Sequence, residues 1–270
     1  MLNFAPVTFT LFDKQTTHGN ENMTSAHFHN KHELYYLENG RAVYYVEDKI
    51  YILESGDFIF IPAGKFHYTN YAPNTVNERI IFAFDDDFIG WDYKNYIDRL
   101  SVDRYVHIPK NHIHNFQELF RKIEQESHLK QSGYLDAQKL YLRLLLVMLL
   151  RYKKDADNTD ISSHYAIIQN AAEFIRTNFN SDLTRESIAK KYFLSPDYFS
   201  KLFKSVVGIG LREYITFSRI SEAQKLLETT NLSIAEIATK CGFNDSNYFA
   251  YVFKKIKGTT PKKYSKLFFE

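Results

Sequence analysis

Cysteine occurs once in 270 residues, at Cys241, so no internal disulfide can form and the chain suits a reducing compartment. Met1 to Asp13 contains no basic stretch followed by an apolar core, so no secretion signal is expected. Long hydrophobic runs are missing as well. The longest, Leu144 to Leu150, falls far short of the ~20 residues a membrane-spanning helix needs. These absences predict a soluble, cytoplasmic protein with no membrane partner. Excess charge of one sign is also lacking, with 34 Lys+Arg against 32 Asp+Glu and a net charge of +2. That balance hides a division. Residues 1–160 hold 18 Lys+Arg and 22 Asp+Glu, hence −4, whereas residues 161–270 hold 16 and 10, hence +6. A basic C-terminal part suits phosphate contact, and an acidic N-terminal part would repel a polyanion. Hydrophobic residues make up 44%, and the length leaves room for two domains.

What is present is clearest from Leu232 to Tyr264. Ser233 suits an N-cap, and Ile234, Ile237 and Ala238 give a short helix one apolar face. Gly242-Phe243 marks a tight break. Asp245 then suits the cap of a second helix, on which Phe249, Val252 and Phe253 recur at helical spacing. The pattern is a helix-turn-helix. It occurs twice. Ile188-Ala189 precedes Ile237-Ala238 by 49 residues, and Tyr198-Phe199, Phe203-Lys204, Gly208 and Tyr214 precede Tyr248-Phe249, Phe253-Lys254, Gly258 and Tyr264 by 50. A helix from near Leu211 to Glu228, with Ile220, Ala223 and Leu227 on one face, joins the copies.

With those residues in place, 165–270 resembles the DNA-binding domain of the AraC/XylS transcription regulators. The tail A-x-x-x-G-F-x-D-x-x-Y-F-x-x-x-F-K-K-x-x-G-x-T-P-x-x-Y, from Ala238 to Tyr264, carries that family's signature. The first copy is looser, with Ile209-Gly210-Leu211 where the second has Thr259-Thr260-Pro261.

From Thr24 to about Ile108 the pattern is strand-like. Val43 to Val46, Ile50 to Leu53 and Phe58 to Ile61 are β-branched and aromatic runs separated by turn signals. Short, closely spaced strands predict a barrel or double-sheet roll. His27-x-His29, Glu33 and Gly40 resemble the first cupin motif, and Gly56, Pro62-x-Gly64 and His67 the second, with Asn70 one place early. The glycine expected ahead of the first motif is absent. A cupin-like N-terminal roll is a common arrangement in the AraC/XylS family, so the two resemblances support each other.

His27, His29, Glu33 and His67 offer three imidazoles and one carboxylate, with positions 27 and 29 expected on one strand face. Such a set suits a divalent metal, Fe(II), Mn(II), Ni(II) or Zn(II). The preferred reading is no cofactor, with these side chains and Tyr35 lining a pocket that hydrogen-bonds a polar effector, as the family resemblance implies. Tyr35, Tyr36, Tyr44, Tyr45, Tyr68 and Tyr71 make the roll aromatic-rich, which suits stacking on a sugar. Tyr36 and Tyr45 read as ordinary sheet residues, His32 as off-phase and exposed, and Asp85-Asp86-Asp87 as a solvated loop.

From His112 the period turns helical. Phe116, Leu119, Phe120 and Ile123 face one way, and Leu135 to Tyr152 forms a second apolar helix with Leu142, Leu145, Leu146 and Leu149. The resemblance implies dimerisation here. The expected fold is α+β in two domains: a cupin-like roll over 1–108 with a helical hairpin over 109–154 for homodimerisation, an acidic linker over 155–164, and an all-α double helix-turn-helix over 165–270.

Carried over from the family, the recognition helices start at Pro196 and Ser246. Asp197, Ser200 and Lys201 face the groove in the first, and Asn247, Ala250 and Tyr251 in the second. Lys201 suits guanine, Asn247 adenine and Ala250 a thymine methyl; Asp197 either accepts from cytosine or serves the helix N-terminus. Lys190, Lys204, Arg219, Lys254, Lys255 and Lys257 are the expected phosphate contacts. The implied function is a ligand-responsive, sequence-specific regulator of double-stranded DNA, preferentially an activator working with RNA polymerase, and not an enzyme. Two alternatives stay open: a metal-dependent cupin enzyme fused to a DNA-binding domain, and a ligand-independent repressor with a structural roll.

Overall fold

The computed structural model describes residues 12–18, 27, 29–47, 49–71, 75–102, 104–153 and 163–269, and the linker predicted over 155–164 lies largely outside them. The chain divides into two compact units, Met1–Ile161 and Ser162–Glu270.

Among the described residues of the first unit, eight strands form two antiparallel sheets. The strands are β1 (Asp13–His18), β2 (His32–Asn39), β3 (Arg41–Val46), β4 (Lys49–Glu54), β5 (Asp57–Ile61), β6 (His67–Tyr71), β7 (Val76–Phe84) and β8 (Tyr105–His107). One sheet runs β1-β7-β2-β5-β8 and the other β4-β3-β6. Strand β2 lies at the centre of the larger sheet, and every residue from His32 to Leu37 is buried. Alternation sends its two sets of side chains to different cores. Tyr35 and Leu37 meet Tyr44, Leu53 and Ile59 inside the roll. Leu34 and Tyr36 meet Phe58, Phe60 and Phe82 on the outer face, under a helical layer.

That layer contains α1 (Asp86–Ile89), α2 (Lys94–Val102), α3 (Ile113–Leu129) and α4 (Tyr134–Tyr152). The hairpin α3–α4 buries Phe116, Leu119, Phe120, Ile123, Leu142, Leu145, Leu146 and Leu149 against the sheet. Each such side chain contributes about 1.5–3 kcal/mol of hydrophobic stabilisation. Two expectations need correction here. Residues 86–102 are helical inside the stretch read as strand-like, and Asp85 caps α1 by accepting from the Phe88 N–H at 2.8 Å. The three aspartates therefore start a helix, where carboxylates suit the N-terminal dipole, instead of forming a loop. Likewise His32 is only 6% exposed. It is off-phase for the pocket, but the face it occupies is covered: Ala63 N–H donates to its Nδ1 at 3.1 Å, and its Nε2 lies 3.1 Å from Asp86 Oδ1.

The second unit is helical: α5 (Ser163–Thr177), α6 (Arg185–Lys191), α7 (Pro196–Val207), α8 (Leu211–Thr229), α9 (Ile234–Lys240), α10 (Ser246–Lys257) and α11 (Pro261–Phe269). Local chemistry explains the boundaries. Thr184 with Ser187, and Ser233 with Glu236, form capping boxes on α6 and α9. Ser195 and Asp245 cap the recognition helices α7 and α10. The repeat persists in the packing. Tyr214 meets Phe203 edge-on at 5.3 Å, and its counterpart Tyr264 meets Phe253 at 5.6 Å. Ile220, Ala223 and Leu227 of α8 are buried between the copies. Among the described residues no helix is long and apolar enough to cross a membrane.

The two turns occupy equivalent positions but differ in surroundings. Phe193 has φ 57° and is 97% exposed, while Gly242 has φ 77°. A Cβ on Gly242 would come within 3.0 Å of Asn180 Cα and 3.1 Å of Arg219 Nε. Gly242→Ala is therefore expected to cost more than ~1 kcal/mol of stability. Phe193→Gly relieves a left-handed phenylalanine in open solvent and should leave stability within ~0.5 kcal/mol or raise it. Denaturant titration of the two variants checks this, and equal losses would contradict it.

Candidate functional site

The candidate DNA-facing surface follows from what the helix-turn-helix cores leave outside. Phe199, Phe203, Phe249 and Phe253 are fully buried, so the opposite faces of α7 and α10 point to solvent. Asp197, Lys201, Asn247 and Tyr251 are exposed, as are Tyr198 and Tyr248. Ser200 and Ala250, at equivalent positions, are only half-exposed, and the Ser200 Oγ is buried without a hydrogen-bond partner among the described residues. Lys190, Lys204, Lys254 and Lys255 are exposed and Lys257 is half-buried.

Two residues expected at the DNA have partners within the fold. The Asp197 carboxylate accepts from Arg185 Nη1 at 2.9 Å, an ion pair between the first turns of α6 and α7. Both side chains are exposed, so the pair contributes well under ~1 kcal/mol and can open when DNA arrives. Arg219 is built into the fold. Its Nε donates to Phe179 O at 2.8 Å and its Nη2 to Ser181 O at 3.2 Å, with the Phe243 ring beside it. This guanidinium fastens the α5–α6 turn to α8 and to the turn of the second motif.

Cys241 closes α9 and is buried, which pushes its thiol up to about 12; it serves packing.

In the roll, the structure brings the histidines together by a different route from the one expected. Neither His27 nor His29 lies in a strand. His27 forms an isolated antiparallel bridge with His67, and Gly64 N–H donates to His29 O at 2.7 Å. His27, His29 and His67 each turn a ring nitrogen toward one point, within 4.8 Å of one another. Glu33 enters from β2, with Oε2 3.1 Å from His29 Nε2 and 3.8 Å from His67 Nε2. Tyr44 OH donates to Glu33 Oε1 at 3.3 Å, and Tyr35 OH to Tyr71 OH at 3.4 Å.

The ring nitrogens have defined surroundings. His29 Nδ1 lies 2.8 Å from Lys31 O and His67 Nδ1 3.0 Å from Lys65 O. A carbonyl only accepts, so each Nδ1 carries a proton; His67 Nε2 is then the unprotonated nitrogen turned to the cluster, whereas His29 Nε2 bonds the Glu33 carboxylate only by carrying a proton as well. The His67 Nε2 is buried and has no hydrogen-bond partner among the described residues. Burial lowers the His67 pKa, so the ring is neutral at neutral pH. Burial alone would raise the Glu33 carboxyl, but the hydrogen bond with His29 and the nearby imidazoles outweigh it and hold it below the usual range. Burial also raises the Tyr35 and Tyr44 hydroxyls well above theirs, keeping them protonated donors. Sequence reasoning singled out Tyr35 and the four residues His27, His29, Glu33 and His67 that the structure brings together; it did not single out Arg79 or Arg185.

A helix-turn-helix domain profile matches residues 188–267 and a cupin domain profile matches residues 12–77, together more than half of the chain. The uncharacterized HTH-type transcriptional regulator YijO of Escherichia coli K12 is 27% identical over 218 residues, 78% of this chain and 74% of that one. The HTH-type transcriptional activator RhaR of Enterobacter sp. strain 638 is 25% identical over 244 residues, 89% and 86% of the two chains. The C-terminal domain of AraT, a response regulator from Geobacillus stearothermophilus, is 36% identical over 39% of this chain and 88% of that one, with a TM-score of 0.37. Two capped helix-turn-helix motifs on one connecting helix, C-terminal in the sequence to a cupin roll, are what the two profiles and the relatives match: the chain belongs to the AraC/XylS family of DNA-binding transcription regulators.

Proposed function

We propose that the chain is a homodimeric transcription activator whose roll binds a small polar metabolite, and that occupancy of the roll alters how the paired DNA-binding units meet a promoter. The observation that carries this reading is the pair of recognition helices tied by α8 and Arg219. At ~1.5 Å per residue the 19 residues of α8 span about 28 Å, close to the ~34 Å between successive major grooves. Lys201, Asn247 and Tyr251 reach base edges, and Lys190, Lys204, Lys254, Lys255 and Lys257 meet phosphates. Asp197 acts with Arg185, and Arg219 holds the two motifs in register. Activation is supported by the name of the relative RhaR and requires RNA polymerase as a further partner in the cytoplasm. The effector contacts are Tyr35, Glu33 and the three histidines, a donor and acceptor set suited to a sugar or similar metabolite.

Dimerisation is supported by α4. Leu140 and Leu144 are exposed and continue through half-buried Val147 and Met148, an apolar stripe at helical spacing. A groove of about 310 Å³ beside it is lined by Leu119, Lys122, Leu144, Met148 and Arg151, and a second copy offers the matching leucines.

A second reading of the roll is favoured by the His67 Nε2. That nitrogen has its partner Nδ1 on a backbone carbonyl, the arrangement that fixes a metal-binding tautomer, and His29, whose Nδ1 is held likewise, would give up its bond to Glu33 to ligate. His27, His29, His67 and Glu33 would then hold a divalent transition metal, which would supply a Lewis-acid anchor for the effector.

Asn247→Ala and Lys201→Ala are each expected to lose about 1–3 kcal/mol at one base position, measured by binding to a set of single-base operator variants. Loss spread evenly over all sequences would remove their base-reading role. Lys254→Ala should weaken every sequence alike and reduce the salt slope by about one. For the dimer, Leu144→Glu should give monomers by light scattering where the parent gives dimers; a monomeric parent would contradict the interface. Elemental analysis of protein purified without chelator decides between the two readings of the roll, since a stoichiometric metal lost in His67→Gln supports the second and its absence retires it.

A further inference from the structure

Among the described residues, Arg79 is a strongly basic side chain that the β-sheet register places on the inner face beside the proposed effector contacts. It stands opposite Leu37 on β2 and opposite Gln15 on β1. Directly paired residues share a face, so Arg79 points the same way as Leu37, Tyr35 and Glu33. The hydroxyls of Tyr71, Tyr44 and Tyr35 and the Glu33 carboxylate are its electrostatic neighbours.

Its hydrogen bonding is incomplete. The Nη2 donates to Gln15 Oε1 at 2.7 Å, but the Nε is buried and has no partner among the described residues. Among the described residues it forms no ion pair. Thr17, two residues along β1 from Gln15 and therefore on the same face, adds a buried hydroxyl that also lacks a partner. Leaving a buried donor unanswered costs about 1–3 kcal/mol, and more for a charged group. The strand has no visible structural use for it, because Ile80, Phe82 and Phe84 hold β7 to the outer core.

A neutral polyol hydroxyl could accept from the Nε but would bring no further negative charge to the guanidinium. An oxyanion does both, since a guanidinium fork matches carboxylate and phosphate geometry. We propose that the effector of this roll carries a carboxylate or phosphate that pairs with Arg79 while its hydroxyls bond Tyr35, Tyr44 and Tyr71. The effector class is thus a small acidic sugar derivative or hydroxy acid, not a neutral sugar. This rests on the reading of the roll as the effector site.

The test uses the full chain and matched probes in thermal-shift and calorimetric titrations: hexuronates, aldonates and hexose 6-phosphates, each beside its neutral hexose or alditol. A ligand that binds only the folded state raises the midpoint in proportion to its saturation. At least one acid is expected to bind at least ten times tighter than its neutral partner, the uronate and phosphate arms naming the oxyanion. Arg79→Gln should abolish that preference and Arg79→Lys should restore part of it, while Tyr35→Phe should weaken both members of a pair. Should Arg79→Gln fail to fold, the acid-against-neutral comparison in the parent protein still decides. Neutral sugars binding as tightly as their acids, or Arg79→Gln keeping the preference, overturns the oxyanion while leaving the roll as the effector site. Binding by no probe of either class overturns both.

Discussion

Everything the second unit does depends on one helix being shared. The apolar face of α8 is buried by both helix-turn-helix motifs, so neither recognition helix can rotate without disturbing the core of the other. Arg219 reinforces the constraint at one point, reaching from α8 to carbonyls of the α5–α6 turn and lying beside Gly242 and Phe243. Two short motifs of seven and twelve residues per helix could not hold that geometry alone, because isolated helices of this length are marginal in water. Shared packing converts two weak DNA readers into one rigid gauge.

A comparable economy operates in the roll. Strand β2 is buried on both sides, so the wall of the candidate effector site and the seat of the helical layer are the same six residues. Tyr35 faces inward, and Tyr36 lies 4.5 Å from Phe58 and 5.0 Å from Phe120 of α3. His32 extends the link, touching the loop at Ala63 on one side and Asp86 of α1 on the other. The close of α1 is in turn held by Arg143 of α4, which donates to Ile89 O and Asp92. Any change that effector binding imposes on β2 therefore bears directly on the helices proposed to meet the second subunit.

How much of this could be read in the sequence depends on whether a residue's role is local. Ser233, Gly242 and Asp245 act on their own or adjacent turns, and their types alone announced the helix boundaries. The repeat made the DNA-binding unit legible twice over. Residues with distant partners were opaque. Arg219 bonds carbonyls some 40 residues upstream, and in sequence it resembled any other basic residue in a basic region. Arg79 lies between Glu78 and Ile80 in an ordinary strand, and only the register with β1 and β2 gives it a face. For His32 the alternation gave the correct phase, but periodicity cannot say whether the far side of a sheet is covered. The histidine cluster was legible as a set and not as a geometry, since His27 and His29 converge through a bridge and a loop instead of a strand.

The most direct measurement is selection of bound sequences from a randomised duplex pool by the full-length protein, followed by footprinting of the winners. A rigid two-reader unit predicts two blocks of base preference one helical turn apart within each half-site, with little tolerance for insertion between them. A single block, freely variable spacing between two blocks, or no preference at all would contradict it.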